Sequence, residues 1–312
     1  MRAVALNEVP SAPTVTEVAT PRPEAGELLV KVAVSSVNGF DLSVTSGRLQ
    51  GMMEHRFPLV VGMDFAGTVE ALGEGVDGIA VGDAVFGVAM KPYLGSGALA
   101  EYLTVSAGYG VAPIPAGLDI KDAGALGLAG TAALNSVAAA APEKGETVLV
   151  SGATGGVGAL AVQLAAARGA RVIATARPGR EADFVAGLSD AHIAVVDHTA
   201  DLDAQVRALA PEGVDVVLHL AGDAGQLAGL LREGGRIAST LGLTQEAVGT
   251  GGVIVHPIMA DPNPRTLATL ADRVAAGELR VPVTATFSLQ EAPEAFDAFR
   301  AGTLGKISVT CS

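Results

Sequence analysis

The sequence of 312 residues is poor in cysteine and in positive charge. Its single cysteine, Cys311, excludes a disulfide framework and a zinc site built from several cysteines, and it fits a reducing cytoplasm. There are 20 Lys and Arg against 33 Asp and Glu, so the net charge is −13. Nucleic acids and anionic membranes are bound by basic surfaces, so neither is expected as a partner.

Long apolar runs are also scarce. Residues 1–8 lack the apolar core and the cleavage site of a signal peptide, which favours a cytoplasmic location. One charge-free stretch, 123–141, has about the length of a membrane span. It consists mostly of Ala and Gly, and this low apolarity per residue argues against a transmembrane interpretation.

The length exceeds that of a usual single domain of about 100 to 200 residues, so two domains sharing one cleft are expected. A hydrophobic content of 49% is ample for large cores. Up to about residue 120, short β-type runs such as 27–34, 66–72 and 83–87 alternate with glycine-containing turns, which predicts a compact barrel-like domain.

Strands and helices alternate in the second part of the sequence, which predicts a parallel, doubly wound α/β sheet. The predicted strands are 147–151, 171–175, 192–197, 214–220, 236–240 and 253–256. From residue 262 a helix (265–276), a strand (281–287), a helix (291–300) and a last strand (306–310) are expected to rejoin the first domain. The predicted domains are therefore 1–122 with 262–312, and 123–261.

A glycine-rich turn follows the first of these strands. The strand 147–151 leads into Ala153-x-Gly155-x-x-Gly158 and then into a run of helix formers that ends at Gly169. Such a turn brings the backbone close to a pyrophosphate, whose charge meets the free N–H groups of the helix. The spacing departs from G-x-G-x-x-G at its first glycine, and a purely structural turn is the alternative. The next strand completes a βαβ unit, which favours dinucleotide binding.

The end of the second strand indicates which dinucleotide is bound. An acidic side chain there accepts the ribose 2′-OH of NADH, whereas arginine accommodates the 2′-phosphate of NADPH. After Thr175 this chain has Arg177 and Arg180 and no acid at the strand end, which favours NADPH. The alternative is that both arginines are solvated loop residues.

Besides the glycine turn, short motifs are spread over the whole chain. They are Ser36-Val-Asn38-Gly-Phe-Asp41, FPLVVGMDFAG at 57–67, VGDAVF at 81–86, GALAEY at 97–102, Gly130-Thr131-Ala132 and GKISV at 305–309. With these motifs in this order, the chain resembles the zinc-free quinone oxidoreductase branch of the medium-chain dehydrogenase/reductase (MDR) superfamily. The resemblance implies a GroES-like barrel-type domain and a Rossmann domain, NADPH in the cleft between them, and a homodimer.

Zinc-dependent relatives carry cysteine where Asn38 stands and Gly-His-Glu where this chain has Gly62-Met63-Asp64. Both departures remove metal ligands, and the lone cysteine cannot build a four-thiolate site, so no metal is expected. The other histidines are far apart in the sequence and are expected to be structural or solvated: His55, His192, His219 and His256.

The resemblance implies roles for residues around the first motif. Asn38 and Thr131 would line the nicotinamide end, with Asn38 also donating a hydrogen bond to the substrate carbonyl; a turn former is the alternative for Asn38. Asp41 would orient the loop rather than act as an acid. Some relatives carry tyrosines where this chain has Ser43 and Leu49, which leaves solvent or Ser43 as the source of the proton.

The expected cofactor contacts combine the turn, the strand ends and these positions. They are Asn38, Thr131, Thr154, Gly155, Gly156, Val157, Gly158, Thr175, Arg177, Arg180, His198, Ala221 and Leu241. His198 is included because family members often carry a tyrosine there, near the adenosine phosphate. Substrate-facing loops are expected at 49–56, 91–95 and 243–252.

The implied reaction is hydride transfer from NADPH to a quinone or an α,β-unsaturated carbonyl, followed by protonation. The cofactor performs the difficult step, so the protein is needed mainly to position the reactants and exclude water. Two alternatives remain: an enoyl or enone reductase of a biosynthetic pathway, and a non-catalytic NADPH-binding sensor.

Overall fold

The computed structural model describes residues 1–248 and 252–311. The chain forms two compact units, one of residues 1–131 and 262–312 and the other of residues 132–261. The first division falls inside a helix, directly after Thr131, and the second follows Asp261.

Strands dominate the chain up to residue 113. In order they are β1 (Arg2–Leu6), β2 (Thr14–Glu17), β3 (Glu27–Val37), helix α1 (Gly39–Thr45), β4 (Glu54–Val60), β5 (Asp64–Leu72), β6 (Ala84–Val88), β7 (Tyr93–Ser96), β8 (Tyr102–Ser106) and β9 (Val111–Pro113). The next long element is the helix α2 (Ile120–Ala140).

Strands and helices then alternate. They are β10 (Thr147–Ser151), α3 (Gly156–Ala167), β11 (Arg171–Thr175), α4 (Arg180–Ala186), β12 (Ile193–Val196), α5 (Leu202–Leu209), β13 (Val214–His219), α6 (Ala224–Ala228), β14 (Leu231–Ser239), α7 (Gln245–Val248) and β15 (Ile254–Pro257). The last elements are α8 (Pro264–Ala275), β16 (Val283–Ser288), a 3₁₀ turn (Leu289–Glu291), α9 (Ala292–Arg300) and β17 (Lys306–Thr310).

The first unit contains two sheets. The larger has the order β16-β17-β3-β5-β6-β9, with β8 also paired to β3, and the smaller has the order β2-β1-β4-β7. In β3 the side chains of Val30 and Val32 are buried while Lys31 between them is exposed, the two-residue period of a strand with one face on a core. Phe65 and Cys311, which is only 1% exposed, belong to the same core.

The second unit is built on a six-stranded parallel sheet with the order β12-β11-β10-β13-β14-β15. All five residues of β10 are buried, as expected for a central strand covered on both faces. The strand order reverses between β10 and β13, and open parallel sheets bind ligands beyond the carboxyl ends of their strands at such a point. The predicted α/β class, a barrel-type part plus a doubly wound parallel sheet, is confirmed.

Two local differences from the sequence prediction have a physical reason. β14 begins at Leu231 rather than at residue 236, because Leu231 pairs with Val214 before an irregularity interrupts the register. The predicted loops 49–56 and 91–95 overlap β4 and β7, which pair through Glu54 with Tyr93. The third predicted loop, 243–252, includes residues 249–251, which lie outside the described residues.

Helix α2 covers most of the charge-free stretch that has the length of a membrane span. By length and composition alone, its 21 residues with a mean hydropathy of 1.3 are long and apolar enough to cross a membrane. However, 72% of the most apolar window is buried inside the protein. Core helices of soluble proteins have the same length and composition, so α2 by itself is weak evidence for a membrane.

Candidate active site and cofactor site

Asn38 lies where β3 ends and α1 begins. Its backbone is extended, with φ −130° and ψ 161°, and its N–H donates to Asp41 Oδ2 at 2.8 Å. The other oxygen of Asp41 accepts a hydrogen bond from Gly62 N at 3.1 Å. Asp41 thus joins the start of the helix to the loop before β5, which is the geometry of a residue that orients a loop.

Asp41 is buried, and the two groups that donate to it, Asn38 N and Gly62 N, are uncharged. Burial raises the pKa of Asp41 to about 7, although both backbone hydrogen bonds and the charge of Lys306 act in the opposite direction. The nearby carboxylate of Asp64 raises the pKa further. Asp41 therefore changes its charge near neutral pH.

The amide of Asn38 belongs to a buried cluster with Asp64 and Lys306. Lys306 Nζ donates to Asn38 Oδ1 at 2.6 Å and to Asp64 Oδ2 at 3.2 Å. Asn38 Nδ2 donates to the same Asp64 oxygen at 2.9 Å. The ammonium group fixes which end of the amide faces it, since only the amide oxygen accepts a hydrogen bond. Asn38, Asp64 and Lys306 are 7%, 0% and 2% exposed.

Asp64 has further partners around it. Its Oδ1 accepts a hydrogen bond from Leu128 N at 2.6 Å, and its Oδ2 accepts a short one from the Ser36 hydroxyl. Asp64, Lys306 and Ser36 were not predicted from the sequence to belong to the site. The signal that points to Lys306 is a charged residue at the start of an otherwise apolar strand, and in β17 it is buried.

Ser43 and Thr131 differ in how their hydroxyl groups are used. Ser43 Oγ donates to Gly39 O at 3.2 Å and accepts from Arg48 Nη2 at 3.1 Å, so its partners lie on its own helix and the residues after it. Thr131 is fully buried, and its Oγ1 is one of three buried side-chain atoms in the described part of the chain that have no partner. Since this hydroxyl has no exposed surface, it does not face an open site in this structure, and the role of Thr131 at the nicotinamide stays a prediction.

In the second unit the glycine turn joins β10 to α3. Gly152 has φ +82°, which favours glycine, and a Cβ added at Gly158 would lie 2.1 Å from Gly152 O. At Gly155, the N-cap of α3, an added Cβ would meet only Gly152 O, at 3.6 Å. The protein itself therefore requires glycine at 152 and 158, whereas the space over Gly155 is open.

This open space suits the pyrophosphate of a dinucleotide. Thr154, Gly155, Gly156 and Val157 are all partly exposed at the head of α3, where the first N–H groups of a helix have no partner within it. Thr175 supports the turn from behind, because its buried hydroxyl accepts a hydrogen bond from Gly152 N at 2.9 Å. The residues present thus fit a nicotinamide dinucleotide.

The two arginines after β11 are exposed, but one already has a partner. Arg177 Nε donates to Glu181 Oε1 at 2.7 Å, and Arg177 N donates to Glu181 Oε2 at 2.8 Å. The hydrogen bonds and charge of Arg177 lower the pKa of Glu181, and the nearby His198 contributes in the same direction. Glu181 lies in the first turn of α4, and Arg177 precedes that helix, so the sequence carries no helical spacing signal for this pair.

The remaining expected contacts, Ala221 and Leu241, follow β13 and β14 and are exposed. Ala221 O accepts a hydrogen bond from Ser151 Oγ at 2.6 Å, and Leu241 N donates to Ser239 Oγ at 3.1 Å. Both residues lie at the carboxyl edge of the parallel sheet, as does the glycine turn.

Comparisons with known proteins agree with this architecture. Residues 24–116 match the alcohol dehydrogenase GroES-like domain, and residues 190–308 match the zinc-binding dehydrogenase family. A quinone oxidoreductase from Lama guanicoe is 34% identical over 230 residues, 71% of this chain and 66% of the relative. The structure of the quinone oxidoreductase from Coxiella burnetii superposes with a TM-score of 0.87 at 27% identity, covering 100% of this chain and 99% of that one.

The chain belongs to the quinone oxidoreductase branch of the MDR superfamily. A second relative is much longer. A mycocerosic acid synthase-like polyketide synthase from Mycobacterium tuberculosis is 38% identical over 218 residues, 69% of this chain but only 10% of the synthase. The match to this synthase thus spans about a tenth of its length, and the match to the Lama guanicoe oxidoreductase spans just under two thirds.

The name of the second matching family includes zinc, but the residues at Asn38 do not fit a zinc ion. Asn38 Oδ1 and Asp64 Oδ2 are both bonded to the Lys306 ammonium, and zinc prefers thiolate, imidazole and free carboxylate ligands. Within residues 1–248 and 252–311, no group of three or more His, Cys, Asp or Glu side chains could hold a metal ion.

Proposed function

We propose that this MDR protein is a zinc-independent, NADPH-dependent oxidoreductase that reduces a quinone or an α,β-unsaturated carbonyl. The open turn at Gly155, at the carboxyl edge of a sheet with Rossmann strand order, is the observation that carries the proposal. The quinone oxidoreductase relatives support the substrate class. The exposed Arg177 and Arg180 support NADPH over NADH.

When bound, the nicotinamide cofactor supplies the hydride. Residues 154–158 would hold its pyrophosphate, and Arg177, which is bonded to Glu181 in this structure, would hold the 2′-phosphate. The Lys306 ammonium and the Asp64 carboxylate form a buried pair that holds the Asn38 amide in one orientation. The proton comes from solvent or from Ser43.

Three measurements test the proposal. NADPH and NADH are titrated separately, and at least tenfold tighter binding of NADPH is expected; equal affinities would contradict the cofactor assignment. NADPH oxidation is then followed with a panel of quinones and enones. Finally, elemental analysis should find no stoichiometric zinc; about one zinc per chain, with activity lost to a chelator and restored by zinc, would overturn zinc independence.

A second candidate, an enoyl reductase of a biosynthetic pathway, is favoured by the 38% identity to a segment of a polyketide synthase. The two candidates differ in the acceptor. A higher kcat/KM for short enoyl thioesters than for any quinone in the panel would select the reductase. Cofactor binding without turnover of any acceptor would instead select a non-catalytic sensor.

Location and assembly are part of the same proposal. The net charge of −13 and the buried single cysteine support a cytoplasmic protein whose partner is a small molecule, not nucleic acid or a membrane. The homodimer implied by the resemblance stays a prediction. Light scattering coupled to size-exclusion chromatography, giving about twice the mass of 31.0 kDa, checks it.

A further inference from the structure

Three buried polar side chains stand side by side at the carboxyl edge of the parallel sheet. Ser151, His219 and Ser239 are the last residues of β10, β13 and β14. Ser151 pairs in register with His219, and His219 with Ser239. They are 5%, 3% and 0% exposed. A row of polar groups so deep in an apolar sheet needs internal hydrogen bonds, because burying them unpaired is costly.

The hydrogen bonds of His219 have a defined direction. Its Nε2 lies 3.2 Å from Gly222 O, which can only accept, so Nε2 carries the proton. The neutral ring then offers Nδ1 as an acceptor, and the Ser239 hydroxyl donates to it at 2.9 Å. The lone pair left on Ser239 Oγ accepts from Leu241 N at 3.1 Å. His219 thereby connects Gly222 after β13 to Leu241 after β14.

Ser151 completes the set from the neighbouring strand. Its hydroxyl donates to Ala221 O at 2.6 Å, directly before Gly222. Gly222 itself has φ +89°, and an added Cβ would lie 3.3 Å from Ser151 Oγ. Three buried side chains thus hold the main chain of two exposed segments, although neither segment contributes to the core at these positions.

The segments at Ala221–Gly222 and at Leu241 follow β13 and β14. Both strands lie on one side of the point between β10 and β13 where the strand order reverses. In a sheet of this order the two halves of a dinucleotide lie on opposite sides of that point. The arginines after β11 belong to the adenosine side. The segments after β13 and β14 therefore belong to the nicotinamide side.

We propose that His219, together with Ser151 and Ser239, positions the main chain at Ala221–Gly222 and at Leu241 to receive the nicotinamide half of the cofactor. The inference rests on the proposed function, because it requires that a nicotinamide dinucleotide binds at this edge. His219 acts through the backbone and does not touch the substrate, so it is a positioning residue. Preformed segments bind more tightly because they need not be ordered when the ligand arrives.

The test compares binding of the whole cofactor with binding of a fragment. NADPH and 2′,5′-ADP, which lacks the nicotinamide half, are titrated by calorimetry against the unmodified protein and against His219→Leu, His219→Gln, His219→Asn and Ser151→Ala. Gln retains a donor near the Nε2 position, and Asn retains an acceptor near Nδ1. The control is Val217→Ala, a buried residue of the same strand that makes no contact with these segments through a polar group.

We expect His219→Leu to weaken NADPH at least tenfold while 2′,5′-ADP binds unchanged, with partial recovery in His219→Gln and His219→Asn. Ser151→Ala should weaken NADPH less, because it loses one connection. Val217→Ala should lower the melting temperature and leave both affinities unchanged.

Equal NADPH affinity in the unmodified protein and in the Gln, Asn and Ser151 variants would overturn the inference, even if His219→Leu does not fold. Equal weakening of both ligands would overturn it as well, because that result indicates a general structural role. NADH and 5′-ADP are measured in parallel. If the unmodified protein binds neither dinucleotide, the proposed function fails first, and the inference fails with it.

Discussion

Around Asn38 the polar atoms have partners inside the protein, whereas at the glycine turn after β10 the space is left open. Lys306 and Asp64 satisfy the amide of Asn38 at both ends. Over Gly155 an added methyl group would touch almost nothing. The first region carries its own cation and fixes its geometry before any ligand arrives. The second supplies backbone N–H groups that have no partner within the helix and are open to a ligand or to solvent.

The largest effect is expected when Lys306, the cation inside the Asn38 cluster, is replaced. Lys306→Met leaves Asp64 buried without its counter-charge, so the free energy of unfolding should fall by about 3 to 5 kcal/mol. The double variant Asp64→Asn with Lys306→Met removes both charges, keeps an amide oxygen for the donors around position 64, and should recover part of this loss. Denaturant unfolding of all three proteins measures it. A single variant as stable as the unmodified protein would show that the pair is not coupled.

The second prediction concerns pH. The pKa of Asp41 is about 7 in the folded protein against 3.8 as a free side chain. The folded state thus retains a proton that the unfolded chain has lost, so stability falls as pH rises from about 4 to about 7. The loss is at most about 4 kcal/mol. Unfolding midpoints of the unmodified protein and of Asp41→Asn across this range test it, because the variant should lack this component.

Two glycine substitutions at the turn should separate an effect on stability from an effect on cofactor binding. Gly158→Ala forces a Cβ against Gly152 O, so unfolding free energy should fall by about 1 to 3 kcal/mol. Gly155→Ala meets no such atom and should change stability by less than about 1 kcal/mol, yet weaken NADPH at least tenfold. Thermal melts and cofactor titrations separate the two. If Gly155→Ala binds NADPH normally, the open space is not the pyrophosphate site.

The smallest effect on stability is expected at Arg177. Its pair with Glu181 is exposed to solvent, so Arg177→Ala should leave the unfolding free energy nearly unchanged. NADPH binding should weaken by roughly 1.5 to 3 kcal/mol, while NADH binding stays nearly the same. Parallel titrations with both cofactors decide this. An equal change for the two cofactors would mean that Arg177 does not bind the 2′-phosphate.

The sequence predicted most of the parallel sheet because its central strands are buried on both faces and appear as continuous apolar runs. It did not predict β4, whose first five residues are mostly exposed and polar, so that no two-residue pattern is visible. The cluster at Asn38 was only partly anticipated. Lys306 and Asp64 are separated by 242 residues, and local patterns carry no information about such a contact.

The glycine turn was predicted from its spacing, but the different roles of its glycines were not. Only the folded structure shows that the Gly152 carbonyl leaves no room for a side chain at Gly158, whereas it does at Gly155. Similarly, no local pattern connects His219 with the segments after β13 and β14, and His219 was predicted to be structural or solvated. Its ring is buried, and both nitrogens have partners.

The burial of Cys311 has a chemical consequence for a protein that handles electrophiles. The quinones and enones proposed as substrates add readily to thiolates, the form in which cysteine reacts. Burial raises the pKa of Cys311 to about 12, and the sulfur sits in the core of the first unit. At neutral pH this thiol stays protonated and out of reach. The protein can therefore meet reactive acceptors repeatedly without being alkylated at its single cysteine.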